Sequence, residues 1–242
     1  MAKITREKFK TRNNVFDNFT NKNLFTIAGR GLFNEETLSP VKIGKEANIF
    51  SALKEDEKEK VIIKIYRLET CDFKKMYEYI SLDPRFESLK KKRRDIIFSW
   101  TKREYTNLFK AKKANVKVPI PYMQYYNIIV MSFIGNEQPA RQLKDYIFET
   151  EEEKEKILKQ IIDNYKNLYY KAKLVHGDLS KFNILIHKKK VYFIDFSQST
   201  TINSLNSKEL LLRDIKNITN YFKKQNYNIT EEELYKKIIE HK

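Results

Sequence analysis

The chain has 242 residues, 41% of them hydrophobic, and its 48 lysine and arginine residues outnumber its 32 acidic residues, which gives a formal net charge of +16. Its apolar runs are far shorter than the roughly 20 residues of a membrane-spanning helix. The charged N-terminus lacks the apolar segment of a secretory signal, so we expect a cytoplasmic protein without membrane partners. The single cysteine, Cys71, excludes an internal disulfide and a cysteine-ligated metal site. Because only three histidines are present, a bound metal is expected to be a hard cation held by oxygen atoms.

The positive charge has two interpretations. An excess of basic side chains favours polyanionic partners such as RNA and speeds the encounter with them. It is equally compatible with a solvated surface in a protein whose composition simply favours lysine. Contact with RNA or a ribonucleoprotein is therefore a hypothesis that other features must support.

The first third of the chain predicts one helix followed by strands. The predicted elements are a helix at residues 5–28 and strands at 41–53 and 60–66. Gly29 and Gly31 supply a stop for the helix, and a charged turn at 54–58 separates the strands. A long charged connection that carries Asp83 and Pro84 follows, and no element is predicted within it.

Two charged residues interrupt otherwise apolar patterns. Lys64 lies in a strand whose neighbours are mostly apolar, and Glu104 lies in the apolar stripe of a predicted helix at residues 94–114. A buried charge is costly unless an opposite charge meets it. Pairing Lys64 with Glu104 resolves both anomalies. The alternative is that Lys64 faces solvent on an edge strand and that Glu104 turns outward.

The second half of the chain is predicted to be mostly helical. Two short strands split near Asn127 come first, and the second ends in the apolar residues 128–133. Thr150 and Glu153 form the S/T-x-x-E pattern of a capping box, which begins a helix that ends near Lys173. The remaining predicted elements are strands at 184–186 and 191–194 and helical segments at 211–222 and 231–240. This order predicts an α+β fold of a sheet-rich lobe and a helical lobe, with a ligand cleft between them.

The strongest functional signal is a set of three oxygen-bearing side chains. Asp178 lies in a loop, Asn183 follows five residues later, and Asp195 ends a hydrophobic strand. Asp178 can orient a hydroxyl or a water and accept its proton, whereas Asn183 and Asp195 supply the oxygen ligands that Mg²⁺ prefers. Taken alone, each residue is better explained by a turn in which Asp or Asn satisfies backbone groups. The spaced set as a whole favours a catalytic site.

These residues resemble the catalytic motifs of the protein-kinase superfamily, H-R-D-L-x-x-x-N and D-F-G. The match is closer to the RIO-type atypical kinases, whose motifs are H-x-D-L-S-x-x-N and I-D-x-S-Q. The corresponding segments are HGDLSKFN at residues 176–183 and IDFSQ at residues 194–198. Ser180 takes the place of a lysine of ordinary protein kinases, and residues 196–198 replace the Phe-Gly that completes D-F-G.

The resemblance implies a site for ATP and Mg²⁺, with Mn²⁺ as an alternative metal. Asp178 would be the catalytic base, and Asn183 and Asp195 the metal ligands. The nucleotide-binding residues would be Gly44, Lys45, Glu46, Ala47 and Asn48 of a phosphate-covering loop, Lys64 and Glu104, Met131, Ser132 and Ile134 of a hinge, and Ser180. In that hinge Met131 would limit the depth of the pocket, while the Ser132 carbonyl and the Ile134 amide would meet adenine. Taken alone, the loop predicts a charged hairpin turn rather than a nucleotide site, and the hinge segment is also compatible with an apolar strand end.

The resemblance extends to the first RIO subfamily. The matching segments are residues 15–17, 44–50, 139–145 and 212–218. The segment ahead of Gly44 is too short for the winged-helix domain of the second subfamily, and the short chain fits an archaeal-type member. Membership implies a bilobal protein-kinase-like fold with an extra N-terminal helix and a reduced C-lobe, divided into residues 1–135 and 136–242. It also implies maturation of the small ribosomal subunit, with the precursor particle and rRNA as partners; no oligomeric state is predicted.

Two residues near the motif are predicted to be structural. His176 is expected to brace the catalytic loop rather than to transfer a proton, as in kinase-like loops generally. Asp214 either braces the same loop from a following helix or is an exposed helix charge, and the sequence leaves both possibilities open.

Two reactions remain open. As a protein kinase, the chain would phosphorylate Ser or Thr of a protein substrate or of itself. As an ATPase, which the family supports, it would drive release from a pre-ribosome, and Asp195 would take the phosphoryl group transiently as an acyl phosphate. No Ala-Pro-Glu motif follows Asp195, and residues 205–212 lead directly into a helix, which favours ATP hydrolysis with weak protein phosphorylation. The alternatives are a nucleotide-gated RNA- or ribosome-binding module and a small-molecule kinase, for which the segment after Gln198 is short.

Overall fold

The computed structural model describes residues 16–55, 58–86 and 89–239. An N-lobe built on a five-stranded sheet comes first, with the three α-helices described before residue 114, and a mostly helical C-lobe follows, so the predicted α+β fold of two lobes is confirmed. Parts of four predictions lie outside the described residues. They are residues 5–15 of the first predicted helix, Val15 of the subfamily match, residues 56 and 57 of the charged turn, and residue 240 of the last helix.

The N-lobe begins with helix α1 (Asn18–Ala28), whose N-terminus is capped by the Asp17 carboxylate and which ends at Gly29 as predicted. Its strands are β1 (Ser39–Ile43), β2 (Ala47–Leu53), β3 (Lys60–Tyr66), β4 (Pro121–Tyr125) and β5 (Ile128–Ser132). They form an antiparallel sheet in the order β1-β2-β3-β5-β4. Because β3 is the central strand, Lys64 does not lie on a sheet edge.

The two faces of this sheet are covered by different layers. Successive side chains of a strand point to opposite faces. Val61, Ile63 and Ile65 of β3 belong to the core that α1 covers, whereas Tyr66 belongs to the larger core that continues into the C-lobe. Lys64 shares the face of Tyr66, because the two are two residues apart on β3. The sheet therefore presents Lys64 towards the C-lobe.

The connection after β3 contains helix α2 (Phe73–Ser81), which the sequence analysis did not predict. Asp72 caps it by accepting a hydrogen bond from the Lys75 N–H, and Met76 and Ile80 are its buried residues. A nine-residue helix with one buried pair gives too short an apolar pattern to distinguish it from a charged loop. Helix α3 (Arg93–Lys113) follows and agrees with the predicted helix to within one residue at each end.

The described part of the C-lobe contains helices α4 (Glu151–Lys166), α5 (Ser207–Lys224) and α6 (Glu231–Ile239), and α4 continues as a π-helical turn at Asn167–Lys171. Its strands are β6 (Arg141–Gln142), β7 (Leu174–Val175), β8 (Ile184–His187), β9 (Lys190–Phe193) and β10 (Thr200–Thr201). Strands β8 and β9 were predicted, but β6, β7 and β10 have two residues each and show no periodicity. No helix in the described ranges is long and apolar enough to cross a membrane.

The N-terminus of α4 departs from the predicted capping box in one bond. The Thr150 hydroxyl accepts from the Glu153 N–H at 3.1 Å, as predicted. Glu153, however, accepts from the Glu149 N–H and from the Tyr146 hydroxyl, both at 2.8 Å, rather than from the Thr150 N–H. The acid therefore fixes the loop that enters the helix, one residue further out than a capping box does.

Candidate active site

Lys64 makes two ion pairs where the lobes meet. Its Nζ lies 2.7 Å from Glu104 Oε1 on α3 and 3.0 Å from Asp195 Oδ1 on the loop after β9. The Lys64 and Glu104 side chains are 8% and 2% exposed, whereas that of Asp195 is 39% exposed. The predicted pairing of Lys64 with Glu104 is confirmed, and the contact with Asp195 joins the N-lobe to the C-lobe.

These charges shift one another's pKa values. Burial by itself lowers the pKa of Lys64, but the charges of Asp195 and Glu104 outweigh it and hold that pKa well above its usual value. Burial raises the pKa of Asp195, but Lys64 and Ser197 bring it down to about 2. For Glu104 burial dominates and raises the pKa, despite the attraction of Lys64. Near neutral pH Lys64 is therefore a cation and Asp195 an anion, which are the charge states suited to phosphate and to a divalent cation.

Tyr66 is a further member of this cluster that the sequence analysis missed. Its hydroxyl donates to Glu104 Oε2 at 2.5 Å, and its ring centre lies 5.1 Å from Lys64 Nζ. The hydroxyl thus satisfies the Glu104 oxygen that Lys64 does not contact. Residues two apart on a strand share a face, so the spacing between Lys64 and Tyr66 was a signal that could have identified it.

The structure brings Asp178 and Asn183 together on the loop before β8. Asn183 Nδ2 donates to the Asp178 carbonyl at 2.8 Å and to Asp178 Oδ2 at 3.0 Å, which leaves Asn183 Oδ1 for a cation. The Asn183 carbonyl accepts from the Ile194 N–H at 3.0 Å, so this loop lies beside Asp195. Burial and then the charge of Asp195 raise the pKa of Asp178. Ser180 shapes the loop, because its carbonyl accepts from the Asn183 N–H at 2.9 Å.

Asp195 has a left-handed backbone conformation, with a φ of 63°. Such a φ is uncommon outside glycine, although aspartate tolerates it better than most residues. Strained conformations persist where the surrounding structure holds them, and they concentrate at functional sites. Here the turn ends β9 and places the carboxylate beside Lys64, where Oδ1 also accepts from the Ser197 N–H at 3.4 Å.

Asp214 on α5 braces the catalytic loop, which decides between the two predicted alternatives. It is fully buried, and its two oxygens accept from the Gly177 N–H at 2.8 Å, the Leu179 N–H at 2.7 Å and the Tyr165 hydroxyl at 2.6 Å. Burial raises its pKa to about 7 against the opposing effect of these donors. Gly177 has a φ of 80°, and a Cβ there would lie 2.8 Å from the Gln198 carbonyl, so the brace depends on glycine at this position.

His176 also stabilises the loop, as predicted. Its ring is fully buried, and Nε2 lies 3.1 Å from the Ile194 carbonyl. Burial lowers the pKa of His176 to about 4. A neutral, enclosed imidazole that contacts the backbone is suited to holding the loop rather than to exchanging protons with a substrate.

The predicted phosphate-covering loop is the turn between β1 and β2. The Gly44 N–H donates to the Ala47 carbonyl at 3.1 Å, and a Cβ at Gly44 would lie 2.5 Å from that oxygen. Only glycine fits this approach. The Arg67 N–H, just after β3, donates to the Glu46 carbonyl at 2.9 Å and ties the turn to the strand that carries Lys64.

The two charged residues of that turn differ in their surroundings. Lys45 and Glu46 are both exposed residues of the turn, but of the two only Glu46 interacts with the acids of the cleft. Partial burial of the carboxyl of Glu46 and then the charge of Asp195 raise the pKa of Glu46. Glu46 therefore lies within electrostatic reach of the residues that were predicted to bind metal.

Asn48 is the predicted nucleotide contact that the structure does not bring to the cleft. It faces Ile65 across the β2–β3 ladder, whereas its neighbour Ile49 faces Lys64. Asn48 is 2% exposed and lies on the sheet face that α1 covers, with Phe50. Its side chain is thus directed away from Lys64, because the strand alternation places the two on opposite faces.

The predicted hinge lies at the end of β5. Met131 is buried in the core that continues into the C-lobe, opposite Ile62 of β3. The Ser132 hydroxyl accepts a hydrogen bond from the Ile120 N–H at 2.8 Å, so its side chain contacts the residue just before β4. The Ile134 carbonyl accepts from the Ala140 N–H at 2.8 Å, and the Ile134 N–H has no acceptor among the described residues.

A family model described as the RIO domain matches residues 48–235 of this chain. The chain belongs to the RIO family. The RIO-type serine/threonine-protein kinase Rio1 of Methanocaldococcus jannaschii is 41% identical over 234 residues, which cover 96% of this chain and 78% of that protein. The Rio1 kinase of Haloferax volcanii is 34% identical over 230 residues, or 95% of this chain and 77% of that protein. These relatives place the chain among the archaeal-type Rio1 kinases, so it is a kinase.

The fold of this RIO kinase is shared with solved structures. The Rio2 kinase–ADP/Mg²⁺–phosphoaspartate complex from Chaetomium thermophilum superposes with a TM-score of 0.62 at 19% sequence identity. The match covers 90% of this chain and 66% of that one, slightly less than two thirds of its length. At this level of identity the likeness shows the fold, and it confirms the predicted protein-kinase-like architecture.

The residues of this RIO kinase fit a nucleotide with a hard divalent cation. Burial and then the charge of Asp195 raise the pKa of Glu46 and of Asp178, burial raises that of Glu104, and Lys64 is in direct contact with two of the four carboxylates, Glu104 and Asp195. This excess of carboxyl groups favours a second cation. No cluster of three or more His, Cys, Asp or Glu residues that could hold a metal occurs in the described ranges. Asn183 and Asp195 would therefore share a cation with phosphate oxygens and water, which is the usual coordination of Mg²⁺.

Proposed function

We propose that this RIO kinase transfers the γ-phosphoryl group of ATP in a Mg²⁺-dependent reaction, with Asp178 as the base and Asp195 as a metal ligand. The observation that carries this proposal is the contact of one buried lysine with both Glu104 and Asp195, at 2.7 and 3.0 Å. In protein kinases this arrangement positions the phosphates beside the metal-binding acid. Lys64 would bind the α- and β-phosphates in the same way.

The acceptor hydroxyl or water would bind beside Asp178. Its raised pKa makes Asp178 a better proton acceptor than an ordinary aspartate, and Asn183 fixes its orientation through two hydrogen bonds. The acceptor oxygen forms a bond to the γ-phosphorus, the bond to the β–γ bridging oxygen breaks, and ADP leaves. When bound to Asn183 and Asp195, Mg²⁺ neutralises charge on the β- and γ-phosphates.

Adenine would bind at the hinge, under the turn formed by residues 44–47. The free N–H of Ile134 is a suitable donor for the base, with the Ser132 carbonyl as its acceptor, and Met131 closes the back of the pocket. We place the boundary between the lobes after residue 135, as predicted. Asn48 has no role in this proposal, because its side chain lies on the other face of the sheet.

Hydrolysis of ATP is the preferred outcome, with Asp195 as a transient phosphoryl acceptor. Only residues 196–206 separate Asp195 from α5, and within them Thr200–Thr201 pairs with β7, which leaves little chain to dock a peptide. Attack by an Asp195 oxygen on the γ-phosphorus would release ADP and form an acyl phosphate, and water would then restore the carboxylate with release of phosphate. A phosphoaspartate is named in the complex of the C. thermophilum Rio2 kinase.

We further propose that precursors of the small ribosomal subunit, with their rRNA, are the partners of this kinase. The net charge of +16 supports a polyanionic partner. The resemblance to the first RIO subfamily favours the ribosomal precursor over other RNA-containing partners. A protein Ser or Thr, in the partner or in the kinase itself, is the alternative acceptor.

The experiment that tests these proposals measures ATP turnover with and without small-subunit precursor particles, together with the chemical lability of the phosphoprotein. We expect ATP hydrolysis that depends on Mg²⁺ and whose rate changes when the particles are added. We also expect the wild-type protein to carry a phosphoryl label that hydroxylamine removes, and Asp195→Asn to carry no such label. Asp178→Ala should lose turnover but keep nucleotide binding, whereas Asp163→Ala, an exposed acid on α4, should resemble wild type. Rapid phosphorylation of free peptides without any hydrolysis would contradict the ATPase preference, and phosphate release by Asp178→Ala would contradict the base.

A further inference from the structure

A buried polar network connects α3 to the segment that follows Asp195. Arg103 and Asn107, one helical turn apart on α3, are 1% and 0% exposed. Asn107 Nδ2 donates to the Ser199 carbonyl at 2.6 Å and to the Phe196 carbonyl at 3.4 Å, and Arg103 Nη1 donates to the Ser197 carbonyl at 3.4 Å. Two side chains thus hold three backbone carbonyls within the four residues after Asp195.

Residues of the connection between α2 and α3 form hydrogen bonds with the side chains of Arg103 and Asn107. Asp83, which is fully buried, accepts from Arg103 Nε at 3.1 Å and from Arg85 Nε and Nη2 at 2.8 and 2.5 Å. Arg85 Nη1 donates to Asn107 Oδ1 at 2.8 Å. The carbonyl-binding groups of Arg103 and Asn107 are therefore locked in orientation by a second layer of hydrogen bonds.

The position of this network relates it to the reaction rather than to packing alone. Asp195 keeps a left-handed φ of 63°, a conformation that needs support from its surroundings. Glu104, the neighbour of Arg103 on α3, holds Lys64. One helix thus fixes Lys64 through Glu104 and fixes the chain beyond Asp195 through Arg103 and Asn107, so it sets the distance between the lysine and the acid.

We propose that Arg103 and Asn107 are positioning residues for phosphoryl transfer: they hold residues 196–199 so that the Asp195 carboxylate stays between Lys64 and Asn183. This inference rests on the proposed role of Asp195 in metal binding. Neither residue contacts the reacting atoms. Outer groups that orient a metal ligand affect metal affinity or activity by about 10- to 100-fold when they are removed.

The test compares Asn107→Ala and Arg103→Lys with Thr101→Val. Thr101 is a matched control because it is fully buried on the same helix, and its hydroxyl donates to the Ile97 carbonyl of its own helix. Binding of a fluorescent ADP analogue is measured in Mg²⁺ and in EDTA, together with kcat, the KM for ATP and the melting temperature. The gain in affinity that Mg²⁺ provides should fall by about tenfold in both test variants, with kcat reduced by about 10- to 100-fold, whereas affinity in EDTA stays near the wild-type value.

The outcome separates this inference from the proposed function. If Asn107→Ala and Arg103→Lys lower only the melting temperature, and both kcat and the gain in nucleotide affinity that Mg²⁺ provides stay at wild-type values, the positioning role is wrong. If Asp195→Asn itself keeps the Mg²⁺ gain and turnover, the proposed function is wrong. In the Asp195→Asn background, Asn107→Ala should cause no further loss of Mg²⁺ gain, because its effect passes through Asp195. An additional loss there would overturn the inference even if both single variants were impaired.

Discussion

Lys64 Nζ lies 3.0 Å from Asp195 Oδ1, although the two residues are 131 positions apart in the chain. The contact joins the central strand of the N-lobe sheet to the loop after β9 in the C-lobe. It forms beside a second ion pair, between Lys64 and the buried Glu104. Because the lysine is shared, loss of its charge would leave two carboxylates without their common partner.

Replacing Lys64 should therefore impair both catalysis and stability. We expect Lys64→Met to lower kcat/KM for ATP by at least about 100-fold and to destabilise the fold by about 3 kcal/mol, because it leaves the Glu104 carboxylate buried and unpaired. Turnover and urea unfolding measure the two effects. Lys22→Met, which replaces an exposed lysine of α1 on the other side of the sheet, should change neither. Unchanged turnover by Lys64→Met would show that the pair is structural only.

The pH dependence should report the proposed base. Asp178 must be ionised to accept a proton, and burial raises its pKa above the ordinary value of an aspartate, so activity is lost as pH falls through this raised pKa. Asp195, with a pKa of about 2, stays ionised over the same range. We expect kcat/KM, measured from about pH 4 to about pH 9, to show an acid limb above the ordinary range of aspartate. Binding of Mg²⁺ and ADP, followed in parallel, should not show that limb; if it does, the limb belongs to nucleotide binding.

The depth of the nucleotide pocket provides a test of the hinge. Met131 is buried on the face of the sheet directed towards the C-lobe, so shortening it should extend the space behind adenine. We expect Met131→Ala to lower the KM for ATP analogues with a bulky N6 substituent by about tenfold, at a stability cost of about 2 kcal/mol. Met123→Ala removes a half-buried methionine that packs on the opposite core and should not admit the analogues. Equal behaviour of the two variants would contradict the assignment of the hinge.

The brace beneath the catalytic loop should be important for stability. Asp214→Asn replaces one acceptor oxygen by a donor where two backbone N–H groups and the Tyr165 hydroxyl converge, so it should cost about 3 kcal/mol. Tyr165→Phe removes one of the three donors and should cost about 1 kcal/mol. Thermal and urea unfolding compare the two. A loss for Asp214→Asn no greater than that for Tyr165→Phe would mean that the loop is held by other contacts.

Physical rules for buried charge made part of the site predictable. Lys64 and Glu104 each stood alone in an apolar pattern, and pairing them was the simplest way to satisfy both, as the 2.7 Å contact confirms. The spacing of Asp178, Asn183 and Asp195 likewise predicted a common site, and the first two are in hydrogen-bond contact. Their catalytic roles, the boundary after residue 135 and the ribosomal partner stay predictions.

Other contacts had no signal of this kind. Arg103 and Asn107 are polar residues in a helix rich in charge, and nothing in their spacing indicates that they meet carbonyls some 90 positions away, as their contacts with Ser197 and Ser199 do. Asp83 lies in a segment predicted to be a charged connection, yet it is fully buried and accepts hydrogen bonds from Arg85 and Arg103. Asn48 was grouped with its neighbours in a loop motif, but its place on a strand decides which face its side chain occupies.

The sequence by itself determined that Lys64 and Glu104 must be paired, where the longer strands and helices lie, and that Asp178, Asn183 and Asp195 follow one another at kinase-like spacing. These features follow from the cost of burying charge and from periodicity, which act over a few turns or strand residues. The tertiary structure alone decided which face Asn48 takes, that Asp214 supports the catalytic loop, and that α3 holds both Lys64 and the chain after Asp195. Such relationships depend on how distant segments pack together, and packing leaves no periodic trace in either segment.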